Sequence, residues 1–165
     1  MWILISILIV IVIYIIVVYN KISKASLQVE QAKQSIDVYL KQRFDLIPNL
    51  VEVVKAQANY EKNILEALTK LRSSFSENNT LEQNQDLDDE YKQVLVNVEA
   101  YPELKTSEAY MKLQKQLTKM ESQLQAARRI YNIQVTRYNT YLHKFPSNFF
   151  AGIFGFQEMK LYKLD

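Results

Sequence analysis

The first nineteen positions form one apolar run, Met1 to Tyr19, with no charge and a single small hydroxyl at Ser6. A helix built from this run is apolar on every face, the pattern of a segment solvated by lipid rather than by one side of a core. Trp2 and Tyr19 bracket it. At about 1.5 Å per residue they stand roughly 25 Å apart, close to a hydrocarbon core of about 30 Å with an aromatic ring at each interface. A cleaved signal peptide is the competing reading. It needs a basic leading segment and small residues at the cleavage point, whereas Val17-Val18-Tyr19 is bulky and nothing basic precedes the run. The expectation is therefore a retained anchor. Lys21, Lys24 and Lys33 follow it, so the positive-inside rule places the N-terminus outside and the remainder in the cytoplasm.

Beyond Tyr19 the pattern changes period. Ile22, Ala25, Val29, Ala32, Ile36 and Tyr39 alternate steps of three and four, a heptad-like stripe with no breaker. The first helix is predicted to run unbroken to about Leu46, where Pro48 interrupts and starts a second. That second helix is predicted over 48–73, with a stripe of Leu50/Val51, Val54, Ala58, Leu65, Leu68 and Phe75 that Glu61 interrupts. Residues 76–89 are polar or acidic and read as a loop, with Asp86, Asp88 and Asp89 capping a short third helix over 89–100 that Pro102 ends. The longest helix is predicted over 107–143. Tyr110, Leu113, Leu117, Met120, Leu124, Ala127, Tyr131, Tyr138 and Tyr141 keep the same rhythm there, with Gln134 the polar member. The predicted fold is all-α: an N-terminal transmembrane helix continuing into an antiparallel four-helix bundle with long, coiled-coil-like helices. Its parts are an anchor (1–19), the bundle (20–144) and an aromatic C-terminal tail (145–165).

Composition changes this picture mainly by exclusion. The chain has no Cys, one His and two Gly. Thiolate zinc sites, Cys nucleophiles and multi-His metal centres are thereby removed. The glycine-rich loops that cradle phosphates, and the strained elbow of hydrolases, need backbone that only Gly supplies, and both are absent. No cofactor or metal is expected, and the residues argue against an enzyme. The formal charge is +3 over 20–75, −6 over 76–102, +5 over 103–144 and zero over the tail. An acidic third helix beside a basic fourth accounts for that asymmetry. The tyrosines sit at core spacing rather than on a basic field, so nucleic acid is not an expected partner.

Four segments carry a resemblance. Arg43-Phe44-Asp45-Leu46-Ile47-Pro48-Asn49-Leu50-Val51, Val98-Glu99-Ala100-Tyr101-Pro102-Glu103-Leu104-Lys105, Ala127-Arg128-Arg129-Ile130-Tyr131-Asn132, and Phe145-Pro146-Ser147-Asn148 leading to Gly155-Phe156 resemble, in that order, the motifs of the LemA family. Those are small bacterial membrane proteins with one N-terminal span. The resemblance covers about residues 19–156 and implies a four-helix bundle; it implies no catalytic activity. The residues after Phe156, QEMKLYKLD, depart from the acidic ending usual in that family.

Each motif admits a structural and a functional reading. Over 43–51, Pro48 starts a helix, Asp45 or Asn49 satisfies amides and Leu46/Ile47 plug the bundle end, or the tip docks a partner. Arg128 and Arg129 point about 100° apart, so one is expected to pair with an acid such as Asp37 or Asp45 on the first helix. Tyr131 and Asn132 pack and hydrogen-bond before they bind anything. The aromatic segment with Phe145, Pro146, Phe149, Phe150, Phe154 and Phe156 either lids the bundle or forms an exposed element for a partner or the lipid interface. His143 reads as a helix-terminal histidine. The expected function is a non-enzymatic, membrane-anchored scaffold or adaptor that presents a bundle surface to a protein partner. The alternatives are homo-oligomeric self-assembly that organises or shapes the membrane, and a sensor relaying a signal through the first helix.

Overall fold

The computed structural model describes residues 1–56, 62–76 and 79–163. Seven helices occur among them, and no strand. They are α1 (Trp2–Phe44), α2 (Ile47–Lys55), α3 (Lys62–Ser74), α4 (Leu81–Glu99), α5 (Pro102–Lys105), α6 (Glu108–His143) and α7 (Ser147–Ile153). The chain divides into two compact units. One holds 1–34 with 127–162; the other holds 35–126 with 163–165.

α1 is a single helix from the apolar run through the heptad stripe. Its first turns show side chains on every face to the surroundings, and burial begins at Val18. This helix is long and apolar enough to cross a membrane. In the first unit the buried apolar residues are Val18, Ile22, Ala25, Val29 and Ala32 on α1 and Ala127, Tyr131, Val135, Tyr138 and Leu142 on α6. The 3–4 rhythm puts these residues on one face of each helix.

In the second unit the α1 stripe continues as Ile36, Leu40, Arg43 and Phe44, all at most 1 % exposed. Leu50 and Val54 of α2, Leu68 and Leu71 of α3, and Leu113, Leu117 and Leu124 of α6 complete that core. Phe44 anchors one end, stacked on Phe75 at 4.8 Å and edge-on to Tyr91 at 5.9 Å.

Several expectations change here. The helix predicted over 48–73 is two helices, α2 and α3; Ala58 and Glu61 of its stripe lie outside the described residues. Ile64, not Leu65, is the fully buried residue of that turn. The loop predicted over 76–89 is mostly helix. Thr80 caps α4 in a reciprocal box with Gln83, so the helix starts eight residues earlier than the apolar pattern suggested. Its early turns carry no apolar stripe because they bury polar residues, Asn84 and Asp88, beside Leu87. Pro102 opens α5, a single turn, as well as closing the stretch before it.

Candidate functional site

Three constellations stand out, and two of them hold the fold. The first surrounds Arg43. Its side chain is 1 % exposed, and its guanidinium donates to Asp88 of α4 and to Glu121 of α6. Lys92 reaches the second oxygen of Asp88 at 3.2 Å, so two cations and two carboxylates cancel one another. The guanidinium also lies 4.1 Å from the centre of the Tyr91 ring, a cation–π contact. A cleft of about 470 Å³ opens beside this group, lined by Tyr91, Leu95, Tyr110 and Leu117. Asp88 is therefore a core ion rather than a helix cap, and Arg43 joins α1 to α4 and α6 rather than forming part of a turn.

Tyr91 tests this arrangement by pH. Burial, opposed by Arg43, pushes its phenol up to about 12. A phenol that holds its proton more tightly when folded stabilises the fold fully below the unfolded value near 10, and that contribution is lost as pH rises through about 12. Its hydroxyl has no hydrogen-bond partner among the described residues. Tyr91→Phe is expected to be neutral or stabilising by up to about 1 kcal/mol at pH 7. It should also remove one high-pH step from a phenolate absorbance titration. A destabilisation above about 2 kcal/mol at pH 7 would mean the hydroxyl has a partner.

The rest of the 43–51 segment is a plain reversal. Leu46 occupies the position before α2 with no side-chain cap, and Pro48 sits in the first turn. Asp45 does not cap an amide; it pairs with Arg72 of α3 at 3.0 Å, and Arg72 also donates to the Phe44 carbonyl. Asn49 is exposed.

The second constellation is a strap. After α7 the chain reverses at Gly155, whose φ of +74° suits glycine, and residues 157–162 run back along α6. Asn139 holds the main chain of Met159 at both its N–H (3.1 Å) and its carbonyl (2.9 Å). Asn132 does the same for Tyr162, at 2.7 and 2.8 Å. The Tyr138 hydroxyl donates to the Gln157 carbonyl and that of Tyr131 to the Lys160 carbonyl. The registers match by arithmetic: seven helical residues advance about 10 Å, and so do three extended ones. Arg128 is buried with its guanidinium 4.7 Å from the Tyr162 ring centre, while Arg129 is exposed. Of the acids proposed for this arginine pair, Asp45 is engaged by Arg72, and Asp37 accepts from Asn84 at 3.0 Å. His143, exposed at the end of α6, meets Glu158 of the strap. The hydrogen bonds of Tyr131 and Asn132 follow the sequence reading, whereas Asn139, Tyr162 and the Tyr138 hydroxyl were not anticipated. The Tyr-Asn dipeptide repeated seven residues apart, at 131–132 and 138–139, was the available signal.

The third constellation is aromatic. Phe150 of α7 packs on Tyr14 at 6.2 Å between ring centres, and Phe154 and Phe156 pack on Tyr19 at 5.1 and 5.8 Å. Pro146 is half-buried just before α7. Phe145, Phe149 and Ile153 recur every fourth residue and point outward, at 86, 67 and 63 % exposed. The segment therefore divides between the two readings made for it. Phe150, Phe154 and Phe156 cover α1, and Phe145, Phe149 and Ile153 form an apolar face that no described residue covers.

These features define an all-helical protein with one N-terminal helix long and apolar enough to cross a membrane, and an aromatic element packed on the last turns of that helix's apolar run. The chain belongs to the LemA family, whose profile matches residues 32–165 and so contains all four motif segments. It is similar to Protein LemA of Metamycoplasma hominis, with 24 % identity over 150 residues, 88 % of this chain and 66 % of that relative. The chain thus spans just under two thirds of that relative's length.

Proposed function

We propose that this protein is a non-enzymatic, membrane-anchored helical scaffold. Residues 1–19 hold it in the cell membrane with the N-terminus outside, and the following helices offer a surface to a protein partner on the cytoplasmic side. The observation that carries the reading is the continuity of α1. One helix passes from a stretch exposed on every face, through Val18, into a stripe that is buried on one face only. An anchor and a folded unit sharing one helix restrain the unit's position relative to the bilayer more tightly than a flexible linker does. We read the second unit as a four-helix bundle built from the end of α1, the α2–α3 pair, α4 and the start of α6. The charged groups of its interior support a packing role, because the charges of Arg43, Asp88, Glu121 and Lys92 offset one another. The Arg43 Nε is the one nitrogen of that guanidinium left without a hydrogen bond among the described residues.

The test is the native mass of the full-length protein extracted with its surrounding lipid. A single copy or small complex holding a stoichiometric second protein is the expected result. A large assembly of this chain alone would replace the scaffold with self-assembly that organises the membrane.

A further inference from the structure

We propose that α7 is a second, interfacial membrane contact: its Phe149/Ile153 face, with the exposed Phe145 just before the helix, lies in the lipid at the level where the apolar run of α1 ends. The inference rests on the reading of α1 as a membrane anchor and names the occupant of a face that no described residue covers.

Four observations carry it. The first is depth. Phe150 touches Tyr14, while Phe154 and Phe156 touch Tyr19, so α7 lies alongside α1 between those two tyrosines. Five helical residues are about 7.5 Å, which falls within the 5–10 Å by which an interfacial helix sinks its apolar face below the headgroups. The second is facial order. Phe150 and Phe154 take the side toward α1, Phe149 and Ile153 take the neighbouring side, away from the protein, and Phe145 is exposed in the turn that precedes the helix. The third is charge. No charged residue occurs from Phe145 to Gln157, and the segment is bounded by Lys144 and Glu158. Lys21, Lys24 and Lys144 are exposed near this boundary, where anionic headgroups would neutralise them. The fourth is continuity: the outward face of α7 extends, through the rings of Tyr14 and Tyr19, the apolar surface of α1 itself. A protein partner would need none of this match in depth, whereas a bilayer boundary requires it.

The absence of cysteine makes the test direct. Single cysteines at positions 10, 149, 153 and 158 of the full chain carry a nitroxide label, in vesicles of zwitterionic and anionic phospholipid. Collisions with oxygen, which concentrates in lipid, are compared with those of a water-soluble nickel chelate. Positions 10, 149 and 153 are expected to favour oxygen, and position 158 nickel. If 149 and 153 favour nickel while 10 favours oxygen, α7 is not in lipid and the inference fails alone. If position 10 also favours nickel, the anchor reading fails and takes this one with it. A chain carrying Trp2→Phe and Phe149→Trp gives an independent measure. Its fluorescence should be quenched several-fold by lipids brominated near the headgroup, and unchanged quenching would overturn the proposal without any label.

Discussion

Arg43→Met is expected to destabilise the protein by about 3–5 kcal/mol, because it leaves buried carboxylate without its counter-ion. Methionine preserves most of the side-chain stem, so the loss reports charge rather than a cavity. Asp88 bears most of it: its side chain is 5 % exposed, and the Lys92 that also reaches it is itself 36 % exposed. Glu121, at 31 % exposed, can turn to water. Adding Asp88→Leu to Arg43→Met should recover much of the loss, since replacing a whole buried ion pair by apolar groups is often neutral. Urea melts of the two variants and the parent decide this. A single-variant loss below about 1 kcal/mol would mean that water already reaches the pair and that it behaves as an exposed one.

Removing both strap clamps has the second large effect. Asn132→Ala with Asn139→Ala deletes four hydrogen bonds to the main chain of Met159 and Tyr162. At about 1 kcal/mol net per bond the strap loses roughly 4 kcal/mol of local stability. Amide exchange at residues 159 and 162 should then accelerate by about 10²–10³-fold. The helical signal of α6 should persist, because its stripe of Ala127, Tyr131, Val135 and Tyr138 remains buried. Unchanged exchange at Met159 and Tyr162 would show that the Arg128–Tyr162 contact and the tyrosine hydroxyls hold the strap without the asparagines.

The errors of the sequence reading share a cause with these two effects. In α1 and α6 most of the apolar residues that repeat at three and four are buried. The predicted stripe slips by one residue in three places: Leu40, Val135 and Leu142 are buried where Tyr39, Gln134 and Tyr141 were expected, and those three and Met120 are half-buried. α4 breaks the link between apolar spacing and burial. Its first three turns bury Asn84 and Asp88, which read as solvated until Asp37 and Arg43 of α1 are placed opposite them. The loop predicted there followed from treating polarity as exposure. The Arg128/Arg129 pair illustrates the same limit: adjacency showed that they diverge, but only the neighbouring Tyr162 ring distinguishes the buried one.

The chain's own pattern determined the all-helical class, the single apolar run, the continuation of α1 past it and the stripe of α6, because each depends on residues close in sequence with a fixed helical period. The tertiary structure alone decided which polar groups are interior. It also decided that 157–162 returns along α6, and that Phe150, Phe154 and Phe156 face Tyr14 and Tyr19. Those outcomes depend on pairs of residues that are far apart in sequence. An aspartate, an asparagine or a phenylalanine carries no local sign of the partner that folding brings against it.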